Sequence, residues 1–234
     1  MCSSDLLSSY QEAAFPFALC DRYIRGFDAD FVGSDNEEIG YALTQALIRR
    51  GHRRIAFLTH TYDKTTTLDR LDGYRRALEE DGIPFAEGLC GAVGERSETL
   101  GLAVRSVLAY AQHPTAMVCV DDGVARRVCD VLRELRYRVP DDMVLATVDD
   151  QERGLSGMPG PLVTARQAAD AVGSETAEML LAQIANPLKS VERRLIRGCL
   201  LPEEEAAVNA DEIAERRRLL AKGGEHRQNE TADG

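Results

Sequence analysis

The stretch Gly51-His52-Arg53-Arg54-Ile55-Ala56-Phe57-Leu58 (residues 51–58) joins the end of an amphipathic segment to an unbroken apolar run. Glycine at position 51 suits the left-handed cap that ends a helix, and the arginines after it complement the partial negative charge of a helix C-terminus. The apolar residues 55–58 do not alternate with polar ones. That pattern belongs to a strand covered on both faces, as in a parallel sheet.

Outward from this stretch the same pairing recurs. Apolar runs at 17–20, 116–120 and 143–148 read as further buried strands. Amphipathic segments at 36–50, 69–81, 97–112, 123–136 and 168–185 read as helices. Asp35-Asn36 supplies an N-cap pair before the first of these and Gly51 closes it. Asp81-Gly82-Ile83-Pro84 stops the second, and Val139-Pro140-Asp141-Asp142 is a turn into a strand. Gly154–Pro161 reads as a loop. Strand–helix–strand repetition at this spacing predicts an α/β fold of right-handed βαβ units.

Composition narrows the function. The formal charge is −11 over 234 residues. An acidic chain repels phosphates, so this polypeptide by itself is a poor nucleic-acid binder. The short basic clusters, such as Arg53-Arg54 and Arg193-Arg194, read as solvated helix ends and faces. No run of 18 apolar residues suggests a membrane span, and Met1–Tyr10 lacks the pattern of a signal peptide. The six cysteines show no CxxC pair and the four histidines no metal-ligand spacing. Free thiols, a cytoplasmic location and no metal or cofactor are expected. No GxSxG elbow, GxGxxG fingerprint or Walker loop is present, and adjacent carboxylates on an extended segment point apart, so no enzyme is expected.

Six strings in order carry a resemblance. Ser34-Asp35-Asn36 with Gly40, the 51–58 stretch, Arg70-Leu71-Asp72-Gly73-Tyr74, Thr115-Ala116-Met117 with Asp121-Asp122 and Ala125, Arg138-Val139-Pro140-Asp141-Asp142 with Asp149-Asp150, and Pro161-Leu162-Val163-Thr164-Ala165-Arg166-Gln167 run from about 16 to 202. Together they resemble the sensor domains of LacI/GalR-type transcription regulators. The resemblance implies a two-lobed, periplasmic-binding-protein-like (type I) fold with parallel sheets flanked by helices and an incomplete N-terminal lobe. It assigns 1–33 to a remnant of that lobe, 34–167 to the C-terminal lobe, and 168–187 to a helix of the first lobe. Residues 188–202 become a return strand to the C-terminal lobe, and 203–234 a charged tail. The helix-turn-helix head and the opening of the sensor are expected to be absent. The first-lobe elements then lack packing partners, so their apolar faces are expected to be partly exposed or repacked on each other.

Ligands of such folds bind between lobes at the C-terminal ends of parallel strands. Asp121 and Asp149 follow the strands at 116–120 and 143–148, and Arg70 starts the helix after strand 55–58. Carboxylates and a guanidinium there would hydrogen-bond a polar ligand. The resemblance adds Asp21 and Gln167 as effector-binding positions. Bland roles compete with each. Asp121 and Asp149 are also placed to cap, Arg70 to pair with Asp69 or Glu residues on the surface, and Asp21 to pair with Arg22. Tyr62 is a stacking platform or a plain loop tyrosine. Asp121 for Asn, Arg127 for Gly, Thr147-Val148 for Gly-aromatic, and Val163 for Thr depart from the family pattern near the expected pocket, so effector identity does not carry over.

The resemblance implies a small-molecule effector of the sugar or nucleoside class, a homodimer, DNA contact only through a head domain, and no membrane partner. A transporter's solute-binding protein and a headless, dimerising decoy fragment are the alternatives.

Overall fold

A computed structural model describes residues 3–60, 64–92, 97–111, 113–149 and 163–200. Tyr62, Asp150, the 154–161 loop and the 203–234 tail lie outside the described residues.

Two parallel sheets organise the chain. The smaller contains β1 (Leu19–Cys20), β2 (Phe31–Ser34) and β8 (Arg193–Ile196), in the order β1-β2-β8. The larger contains β3 (Ile55–Thr59), β4 (Cys90–Ala92), β5 (Ala116–Cys119), β6 (Val144–Asp149), β7 (Val163–Arg166) and β9 (Cys199–Leu200). Its order is β4-β3-β5-β6-β7-β9, and only β9 is antiparallel to its neighbour. The helices are α1 (Ser3–Glu12), α2 (Asn36–Arg49), α3 (Thr65–Glu80), α4 (Ser97–Leu108), α5 (Asp122–Glu134) and α6 (Ala169–Ala185).

The 51–58 stretch behaves as its chemistry requires. Gly51 has φ 85° and its N–H donates to the Ile48 carbonyl at 2.9 Å, closing α2. His52 is fully buried, with Nδ1 2.9 Å from Thr115 Oγ1. Every residue of β3 is buried. Tyr74 of α3, also fully buried, donates its hydroxyl to the Ile55 carbonyl at 2.8 Å and so pins that helix to the strand.

The hydrophobic core is divided unequally. The large cluster fills the second lobe around β3, β5 and β6 and takes in α2, α3, α4 and α5. The small one consists of Val32, Val172 and Met179, with Ala18 and Ile196 against it. α6 thus packs on β1 and β2 through few side chains, while Leu181 and Ile184 are 65% and 55% exposed. The first-lobe elements are thus partly repacked on one another and partly exposed. A buried ion pair compensates locally: Asp30 accepts from Lys189 Nζ at 2.9 Å and from the Glu192 N–H at 2.8 Å.

The expected return strand over 188–202 is two strands. β8 pairs in parallel with β2 in the small sheet, and only β9 crosses to pair with β7. The chain turns between them at Arg197-Gly198, so each half joins the nearer sheet edge. α3 starts at Thr65 rather than 69, and α1, β2, β4 and β7 add to the expected elements.

The described cysteines are free. Burial pushes the Cys90 and Cys129 thiols up to about 11, and it raises the Cys119 thiol well above its usual value, with Cys129 and Asp121 adding to the effect on Cys119. Since the thiolate is the nucleophile, iodoacetamide at pH 8 is expected to modify exposed Cys20 and Cys199 in the folded protein. Cys119 and Cys129 should react only after denaturation. Peptide mass spectrometry reads this, and native labelling of Cys119 would contradict the packing.

Candidate functional site

Three segments connect the lobes: 34–36 from β2 to α2, 166–169 from β7 to α6, and 196–199 from β8 to β9. The Asp35 N–H donates to the Ile196 carbonyl at 2.9 Å, so two crossings are tied together. A cavity of about 580 Å3 opens beside them. That lies within the range of small-molecule sites, roughly 300–1,000 Å3.

Each lobe contributes a wall. Cys20, Asp21 and Arg22 follow β1, Ser34 ends β2, and Ala169, Val172 and Gly173 come from α6. Opposite them, His60 follows β3, Lys64, Thr66, Thr67 and Arg70 come from the start of α3, and Val120, Asp121, Asp122 and Gly123 lead from β5 into α5. Val148 and Gln167 complete the lining. Parallel strands ending beside helix N-termini place these residues together, as at other α/β ligand sites.

Arg70 is the anchor. It is 7% exposed, so surface pairing with Asp69 is not its role. Its Nε donates to Asn36 Oδ1 at 2.8 Å and its Nη1 to the Val120 carbonyl. Asn36 Nδ2 donates in turn to the Ser34 carbonyl at 3.1 Å. The guanidinium thereby links α3, the first crossing and the end of β5. Its planar fork satisfies several acceptors at once, which an ammonium would not.

Asp121 takes the capping role expected of it and adds a contact that was not. Its carboxylate caps α5 by accepting from the Val124 N–H at 2.8 Å, and it also lies 3.1 Å from His60 Nε2. Asp21 has φ 67°, an uncommon backbone conformation for a non-glycine residue, at the cleft rim. Its carboxylate pairs with Arg22 at 3.5 Å, both being half exposed. Asp149 ends β6 in register with Arg166. Of the five expected positions, Asp21, Arg70, Asp121 and Gln167 line the one cavity.

His60, Lys64, Thr66 and Thr67 were not expected. His60 directly follows a buried parallel strand and Asp121 lies two residues past another, so the same strand-end signal marks both. The threonines were hidden because helix α3 begins a turn before the apolar periodicity does.

Beside the cleft, Tyr23 donates its hydroxyl to Asp69 Oδ1 at 2.9 Å. Burial raises the Asp69 carboxyl above the usual range, against the lowering effect of that hydrogen bond. Burial, then Asp69, raises the Tyr23 phenol.

Among the described residues no group of three or more His, Cys, Asp or Glu could hold a metal, and no helix is long and apolar enough to cross a membrane.

Residues 44–202 match the family described as the periplasmic binding protein-like domain. The HTH-type transcriptional repressor PurR of Vibrio atlanticus is 32% identical over 200 residues, 83% of this chain and 59% of that protein. The ribose operon repressor of Escherichia coli K12 is 32% identical over 176 residues, 74% of this chain and 52% of that protein. The chain therefore spans little more than half the length of these curated relatives. Among solved structures, a complex of the transcriptional regulator CelR with cellobiose superposes with a TM-score of 0.77 at 26% identity, covering 87% of this chain and 63% of that one. A LacI family regulator from Enterococcus faecium with bound ribose superposes at 0.75 with 20% identity, covering 88% and 76%, a likeness of fold. The order of the six motifs, the two-sheet topology and these relatives agree: the chain belongs to the LacI family of transcriptional regulators, through the periplasmic binding protein-like domain of that family.

Proposed function

We propose that this chain senses an uncharged, hydroxyl-rich metabolite, a sugar in preference to a nucleoside, by closing its lobes on it. The observation that carries this reading is the charge balance of the cleft. Arg22, Lys64 and Arg70 face Asp21, Asp121 and Asp122, three against three, with Ser34, Thr66, Thr67 and Gln167 between them. Paired charges and hydroxyls hydrogen-bond a polyol without favouring a net charge. No Phe, Tyr or Trp is among the described lining residues, and the one imidazole, His60, lies 3.1 Å from Asp121 through Nε2, which favours hydrogen bonding over base stacking. Asp149 belongs to this proposal as a residue at the closing edge of the site.

A ligand that binds the closed form better shifts the lobes toward it. In a regulator, closure would set the DNA affinity of an attached head, with the protein working as a cytoplasmic homodimer. The repressor relatives support this reading over that of a solute-binding protein.

Thermal unfolding with ribose, cellobiose, adenosine or inorganic phosphate tests it. At about 100 times its Kd a ligand adds about 2.7 kcal/mol, or roughly 5–10 °C for a domain of this size. A neutral sugar is expected to give such a shift. No shift with any of the four, or a shift with phosphate alone, would overturn the reading.

A further inference from the structure

We infer that Tyr23 and Asp69 form a latch between the lobes that holds the cleft in its closed-competent arrangement. Tyr23 follows β1, two residues after the cleft residue Asp21. Asp69 lies on α3, one residue before the cleft residue Arg70. A hydrogen bond of 2.9 Å joins them, and Thr65 Oγ1 of α3 donates to the Tyr23 carbonyl at 3.4 Å.

The tyrosine is mounted rigidly on the first lobe. Its ring meets Phe31 of β2 edge to face, with centroids 5.3 Å apart. The Arg193 guanidinium of β8 lies 4.3 Å from its centroid and 5.3 Å from that of Phe31. The phenol therefore projects from two first-lobe strands onto a second-lobe helix. A cavity of about 150 Å3 beside it is lined by Tyr23, Asp69, Arg193 and the crossing residues Ser34, Asp35 and Asn36. Ser34 also lines the effector cleft. Opening the lobes has to break the phenol–carboxylate bond or drag Tyr23 off its aromatic and cationic support. A half-buried hydrogen bond resists both.

Part of this inference, the control of effector affinity, rests on the lobe-closure reading; the latch itself does not. Tyr23→Phe keeps the ring and its support but removes the donor. Losing one such bond is expected to raise the opening equilibrium about two- to tenfold. Hydrogen exchange on the intact, ligand-free chain reads it. Amides at 19–23 and 65–69 should exchange two- to tenfold faster in Tyr23→Phe, while those of β3, β5 and β6 stay unchanged. Asp69→Ala should give the same pattern, and the double variant no more than either alone, because both remove one interaction. Unchanged exchange at both segments in Tyr23→Phe overturns the latch. So do additive effects in the double variant. If Asp69→Ala does not fold, Tyr23→Phe alone decides. With a sugar that binds the parent chain in the thermal assay, Tyr23→Phe should weaken binding by a similar factor. Absence of sugar binding in the parent fails the sensor reading and leaves the exchange result to judge the latch.

Discussion

Gly73→Ala is expected to lower the stability of the second lobe by about 3 kcal/mol or more, an overpacking cost at the upper end of the usual range. In an ordinary helix interior the same change stabilises by roughly 0.5–1 kcal/mol, because alanine loses less backbone freedom on folding. The sign reverses here because α2 and α3 touch backbone to backbone. A Cβ at Gly73 would lie 1.9 Å from the Glu37 carbonyl oxygen and 2.6 Å from the Tyr41 nitrogen. From the other side, a Cβ at Gly40 would lie 2.1 Å from the Arg70 carbonyl oxygen. Backbone atoms cannot rotate away, so the helices must separate. Separation also strains the pairs that cross them: Tyr41 to Glu80 at 2.7 Å, Gln45 to Asp81 at 2.6 Å, and Arg76 to Glu38 at 2.8 Å. A loss of that size is a fall of about 6–12 °C in Tm for a domain of this size. Gly101→Ala is the control. That glycine is also helical, and nothing lies within 4 Å of its added Cβ. It should melt at or above the parent temperature. A Gly73→Ala protein that melts no lower than the parent would show that the helix contact is not as close as described.

That contact shows what the sequence could and could not convey. Gly40 and Gly73 stood in two of the recognised strings, so the letters were legible. The reason for them was not, because it lies in a pairing of residues 33 positions apart. The buried parallel strands β3, β5 and β6 were legible from their unbroken apolar runs. β2, β4, β7 and β8 were not foreseen as separate strands. Phe31-Val32-Gly33-Ser34 and Cys90-Gly91-Ala92 are short and carry glycine, and β8 alternates in exposure along Arg193-Arg194-Leu195-Ile196. Their strand character comes from the neighbours they pair with. The start of α3 was missed for a related reason. Thr65-Thr66-Thr67 are poor helix formers, yet Thr65 and Thr67 are buried there. At the site, strand-end logic pointed to Asp121 and the family resemblance to Gln167, both of which line the cavity. Neither revealed that Arg70 depends on Asn36, which is distant in sequence and adjacent only once α2 and α3 have packed.

Arg70→Ala carries the largest expected effect on binding. The substitution removes a buried guanidinium from the cleft wall and leaves Asn36 Oδ1 and the Val120 carbonyl without the donor each now has. Hydrogen bonds to charged groups are worth about 1.5–3 kcal/mol each. Losing two toward a sugar predicts an affinity at least 100-fold lower, at about 1.4 kcal/mol per tenfold. The orphaned acceptors also cost stability, about 1–3 kcal/mol, so a fall in Tm by itself says nothing about binding. Two further variants separate the effects. Arg70→Lys keeps the charge but loses the fork, and should recover little of the affinity. Asn36→Ala keeps the guanidinium and its bond to the Val120 carbonyl but removes one of the groups that orient it, and should cost binding about tenfold while the charge remains. Isothermal titration with whichever sugar shifts the parent's Tm measures all three. If folded Arg70→Ala binds that sugar within threefold of the parent, Arg70 holds the helices together without meeting the ligand. The graded order Ala, then Lys, then Asn36→Ala, from weakest binding to strongest, is the pattern that a ligand-facing guanidinium positioned by its neighbour requires.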